Sequence, residues 1–148
     1  MLKKAFKIVA DGGGTLMQAL RDFEVLVGRI LVAIIFVWSG IQKIQDPAGT
    51  AGYMVKVGGM ASGPSLPLVY ASLVVELVCA ILLILGIRVR IAAFILFLWL
   101  IPVTYLFHVS HGEVEQYMKN LCMMGGLLAL SAYGAGRFSF DGMRAKSG

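Results

Sequence analysis

Four apolar runs separated by short polar breaks set out this chain, over residues 23–44, 66–87, 91–107 and 119–135. Each is close to the ~17 to 25 residues that carry a helix across the hydrocarbon core of a bilayer. The pattern predicts an all-α membrane four-helix bundle. Four crossings return both ends of the chain to the same side.

The first run reads GRILVAIIFVWSGIQKIQDP from residue 28 to 47, with an arginine at its start, a Ser-Gly break, a lysine and an Asp-Pro stop. A charged side chain inside such a run costs about 3 kcal/mol or far more, so Arg29 must face protein, water or a ligand. At helical spacing Arg29, Ala33, Phe36, Gly40 and Lys43 form one stripe. The second run carries the one carboxylate near the middle of any span, Glu76, with Ser72 and Cys79 on its face. The third brings Thr104, His108 and, a turn later, His111 to its far end, and the fourth opens with Gln116 and Asn120 ahead of Met123 and Leu127. Arg29 and Glu76 are the expected ion pair, joined directly or through water. It is either a structural clamp or a clamp that also lines a cavity.

Composition supports the membrane reading: with 59% hydrophobic and 14% charged residues, the chain has too little polar surface to cover a soluble globule. The net charge of +5 does not point to nucleic acid, because the basic residues flank apolar runs, where topology and lipid headgroups account for them. Lys3, Lys4, Lys7, Arg21, Arg88, Arg90, Arg137, Arg144 and Lys146 fall on one side of the four-span arrangement, and Lys43, Lys56 and Lys119 on the other. Both termini are therefore expected inside (N-in, C-in) in the inner, cytoplasmic membrane of a bacterium or archaeon. The expected organisation is an N-terminal arm over residues 1–23, a transmembrane domain over 24–141 and a cytoplasmic tail over 142–148. Lys3, Lys4 and Lys7 are like the start of a signal peptide, but Asp11-Gly-Gly-Gly interrupts the apolar stretch behind them. The arm is expected to be retained, lying on the membrane through Leu16, Met17, Leu20 and Phe23. In the first outer loop, 50–57 offers Tyr53, Met54 and Val57 as an apolar edge, and Gly58-Gly59 and SGPSLP break the chain before the second span.

Other candidates carry less chemistry. His108 and His111, with Glu113, Glu115 and Asn120 near them, lack a third ligand at clear spacing, so no metal is expected. Cys79 and Cys122 are not a CxxC pair and read as packing residues at different depths. Trp38, Trp99, Tyr105 and Tyr117 read as interface or packing aromatics, and Gly125, Ala129, Ala132 and Gly136 as close-packing positions.

Taken in order, Arg29, Phe36, Ser39, Gly40, Lys43, Asp46-Pro47, Glu76, Gly86, Arg88, His108, Lys119-Asn120, Gly125-Gly126, Gly134, Gly136 and Arg137 resemble the DoxX family of four-helix membrane proteins. The resemblance covers about residues 24–141. It implies membrane redox chemistry: a related subunit belongs to an archaeal thiosulfate:quinone oxidoreductase, and bacterial relatives are linked with thiol and oxidative-stress systems. No motif here binds haem, flavin or an iron-sulfur cluster, so electrons would need quinone or a partner subunit. The leading expectation is a redox-associated, quinone-interacting subunit of a membrane oxidoreductase. Glu76 and His108 are its catalytic candidates, and Arg29, Lys43, His108 and Asn120 its ligand-binding candidates. Membrane lipid and a protein partner or a second copy complete the picture. The alternatives are a non-catalytic assembly or accessory subunit and a small-molecule carrier.

Overall fold

The structure, a computed structural model, describes residues 2–144, with side chains described over 14–144. Lys3, Lys4, Lys7 and Lys146, which enter the charge bias, lie outside the described side chains, as does most of the 142–148 tail. Among the described residues every regular element is helical: α1 (Leu2–Gln45), α2 (Pro47–Lys56), α3 (Ser62–Leu85), α4 (Val89–Thr104), a π-helical turn (Tyr105–Val109), α5 (Val114–Tyr133) and α6 (Phe140–Arg144). Three stretches are long and apolar enough to cross a membrane: Gly14–Gln45, Ser62–Leu85 and Val89–Val109. The fourth, α5, has 20 residues but opens on Glu115, Gln116, Lys119 and Asn120 and is less apolar.

Two boundaries differ from the sequence pattern. The backbone of α1 runs unbroken through the Asp11-Gly-Gly-Gly stretch, because glycine weakens a helix without forcing it to stop. SGPSLP does not break the chain either; it forms the opening turns of α3. Pro64 falls where a helix has no internal use for the missing N–H, and the Ser65 hydroxyl donates to the Ser62 carbonyl at 2.7 Å. Asp46 starts α2 as expected of an Asx-Pro pair, its Oδ1 accepting from the Gly49 N–H at 2.8 Å.

The helices pack in sequence, α1 on α3, α3 on α4 and α4 on α5, while α1 and α5 touch much less and leave a seam between them. The main core joins Ala33, Phe36, Leu83, Ala93, Leu96 and Leu127. Many of its residues are small, so van der Waals contact between backbones does much of the packing. Gly40 shows why: a side chain there would collide with Leu77 of α3. A second cluster, Ala51, Met54, Val69 and Phe107, fixes α2 over one end of the bundle. Tyr53 of α2 stacks on Phe107 with ring centroids 5.6 Å apart.

Candidate functional site

The stripe read on the first span is buried from Arg29 to Gly40, with Arg29 and Ala33 at 0% exposure, and half-buried at Lys43, and its two charged ends do different work. Lys43, one turn from the end of α1, donates to Glu76 Oε2 at 2.7 Å and to Ser39 Oγ at 2.6 Å. The indole N–H of Trp99 on α4 donates to the other carboxylate oxygen, Glu76 Oε1, at 3.1 Å. Glu76 is thus held between a cation and an indole, both oxygens engaged, at the contact of three helices. Charged groups stripped of water persist only with such partners.

Arg29 is not the partner of Glu76. Antiparallel packing sets Gly40 against Leu77 and Arg29 against Gly86, ten residues along α3 from the carboxylate. At 1.5 Å per residue that is about 15 Å, beyond the reach of a guanidinium. Arg29 Nη2 instead donates to the Phe138 carbonyl at 2.6 Å, and Asp141 is the acidic group whose charge acts on it. Gly86, at φ +74°, leaves the space that the guanidinium and Ser139 occupy; a side chain there would strike both. Its Nε and Nη1 have no hydrogen-bond partner among the described residues.

At the Lys43 end a cavity of about 340 Å³ opens between α1, α2, α3, α4 and α5. Of the candidates read from sequence, Lys43, Glu76, His108 and Asn120 line it together, and Arg29 does not. Phe36, Met54, Leu100, Phe107 and Met123 supply apolar walls. Asn120, 3% exposed, donates through Nδ2 to Thr104 Oγ1 at 3.0 Å, and that hydroxyl donates in turn to the Leu100 carbonyl. His108 Nδ1 lies 2.7 Å from Glu113 Oε2, which leaves the Nε2 side of the ring without a hydrogen-bond partner among the described residues. His111 is exposed, pairs with Ser110 through a hydrogen bond and does not line the cavity, so the two histidines do not form one site.

The π-helical turn sets this geometry. Pro102 cannot donate to the carbonyl one turn back, and beyond it the helix widens, Ser110 N–H reaching the Tyr105 carbonyl. Phe107 is thereby buried under α2 while His108 remains at the cavity wall. Tyr53, on the α2 wall, has its phenol pushed up from its ordinary value by burial and then by the Glu113 carboxylate.

Trp99 is the participant that the sequence pattern missed. The signal was available in chemical form: an indole N–H inside an apolar run needs an acceptor, and Glu76 is the carboxylate near the middle of a span. The cysteines are both free, Cys79 buried and Cys122 exposed, so only the first is a packing residue of the core.

The DoxX family model matches residues 24–109. Over 128 residues the chain is 35% identical to the inner membrane protein YqjF of Escherichia coli (strain K12), covering 84% of this chain and 95% of that protein. Over 131 residues it is 29% identical to the inner membrane protein YphA of the same organism, covering 83% and 91%. No solved structure matches it.

Proposed function

This chain belongs to the DoxX family, and on that premise we propose that it is a multi-pass inner-membrane subunit whose Lys43-end cavity holds the head of a quinone for a partner oxidoreductase. The observation that carries the reading is the Lys43–Glu76–Trp99 cluster, a buried carboxylate with two half-buried partners, beside an apolar cavity large enough for a small ring. An ionisable cluster inside hydrocarbon is costly, and its placement at a cavity gives the cost a use. A bound quinone would supply the redox chemistry, taking up electrons from the partner and protons from its surroundings.

The donor set fits such a head. Asn120 and the free side of His108 present N–H donors at one depth, and Lys43 has a third proton beyond those given to Glu76 and Ser39. Glu76 is placed to hold or pass a proton, and Phe36, Leu100 and Phe107 keep water out. The same reading takes α5 as the fourth span: its 20 residues make about 30 Å of helix, the thickness of the core. With that crossing, the basic bias supports a reading in which both termini are in the cytoplasm and the cavity mouth is outside.

The test is binding of a short-chain quinone to the detergent-solubilised protein, read by quenching of tryptophan fluorescence, since Trp38 and Trp99 line the cavity. Lys43→Met with Glu76→Gln removes both charges together and keeps bulk. It should weaken binding about tenfold or more, as loss of a charged hydrogen bond implies, with the bundle still folded. A second reading, a non-catalytic accessory subunit, is favoured by one observation: the cavity's polar groups largely satisfy one another, Lys43 with Glu76, His108 with Glu113 and Asn120 with Thr104. If the wild type binds no quinone at any pH, that reading replaces the first.

A further inference from the structure

We propose that the seam between α1 and α5, at the opposite end from the quinone cavity, is a binding groove for one phosphatidylethanolamine molecule. An acyl chain lies along Gly28 and Gly126 and the zwitterionic head sits between Arg21 and Glu24. This inference is independent of what occupies the Lys43-end cavity.

The groove has a volume of about 360 Å³, with Val25, Gly28, Val32, Gly126 and Ala129 along it and Arg21, Glu24 and Tyr133 at its mouth. Glycines between helices usually allow backbones to touch. Here they do not: a side-chain carbon built on Gly28 meets nothing within 4 Å, and one on Gly126 meets only Val32, at 3.5 Å. The space in front of these glycines is left open by the chain's own helices. From Arg21 to Val32 the groove follows eleven residues of α1, about 16 Å at 1.5 Å per residue. That is about half of the ~30 Å hydrocarbon core, the depth of one leaflet. A helix 10 to 12 Å across is wider than a slot of this volume and length, whereas a hydrocarbon chain is not.

The mouth selects the head. Arg21 and Glu24, three residues apart on α1, lie on neighbouring positions of one helix face, and both are exposed. Neither has a hydrogen-bond or ion-pair partner among the described residues. Arg21 matches a lipid phosphate and Glu24 a primary ammonium. A wholly anionic head would satisfy Arg21 and set its charge against Glu24. Tyr133 completes the mouth as an aromatic at headgroup level.

Native mass spectrometry of the purified protein, with phosphatidylethanolamine, phosphatidylcholine or phosphatidylglycerol of matched chains added singly, tests the assignment. The wild type should retain phosphatidylethanolamine in preference to the other two. Gly28→Leu, for which the fold has room, should abolish retention with no loss of thermal stability. Arg21→Gln should weaken it about fivefold, the effect of one basic contact to a headgroup. Equal retention of the three lipids, or better retention of phosphatidylglycerol, overturns the head assignment. Undiminished retention in Gly28→Leu overturns the groove, and so does a change from dimer to monomer in that variant, which would assign the seam to a second copy.

Discussion

Glu76 is the residue on which the interior balance rests, because removing it or Lys43 leaves the other charge without its counter-ion in hydrocarbon. Lys43→Ala or Glu76→Ala alone should each destabilise the protein by about 3 to 5 kcal/mol, and the double substitution should cost less than the sum. Denaturation of the four proteins in mixed detergent micelles gives the coupling. Arg29→Ala paired with Glu76→Ala should instead be additive, since the two groups are about 15 Å apart along the bundle. Trp99→Phe should cost about 1.5 to 3 kcal/mol through the lost hydrogen bond to a carboxylate, read in the same assay. The buried stripe from Arg29 to Lys43 was legible in the sequence, as was the polar face of Glu76, because period and hydropathy decide which side of a helix leaves lipid. Which of two cations meets the carboxylate was not legible. That depends on how far one helix slides along another, and the slide is set by Gly40 against Leu77 and Gly86 against Arg29, contacts that no single helix encodes.

At the scale of elements, α2 and the π-helical turn are the parts that shape the cavity and the parts the pattern described least well. The sequence marked 50–57 as an apolar edge and Asp46-Pro47 as a stop; the packing of α2 against Phe107 required the widened turn after Pro102, which has no period of its own. Asp46→Ala should cost about 1 kcal/mol by removing the cap of α2. Faster amide hydrogen exchange over Pro47–Lys56, with α3 and α4 unaffected, is the expected signature. Tyr53 gives α2 a dependence on pH. Its phenol is pushed above the ordinary value of 10.0 by burial and by Glu113, so the packed state favours the neutral form. The contribution is complete below pH about 10 and is lost as pH rises through the higher folded value. Ultraviolet absorbance of tyrosinate, wild type minus Tyr53→Phe, should show a midpoint above that of a free tyrosine.

For the whole molecule, the decisive measurement is topology. Tags at the two ends should both be protected from reagents outside intact cells, and a cysteine at Ser110, in a Cys122→Ser background, should be labelled from outside. Labelling of either tag from outside would exchange the two faces and place the Lys43-end cavity toward the cytoplasm. The membrane class and the family were readable from hydropathy and from the order of the motifs. The open seam between α1 and α5 was not, because Gly28 and Gly126 look the same in sequence whether they touch another helix or face a gap.

Arg29 donates its hydrogen bond to a carbonyl 109 residues further along the chain. During synthesis the first span must therefore enter the membrane long before the segment that shelters its arginine has been made. Until Phe138 and Ser139 arrive, the guanidinium has to stay at the water interface or draw water inward, and the first helix sits shallower than it finally does. The segment around Phe138 then acts as a completion signal, drawing the arginine to its final depth once that segment has been made. A chain ended after Gly134 would keep every span and lack that signal. It should be inserted and then removed by membrane proteases faster than the full chain, a difference that pulse-chase labelling would measure.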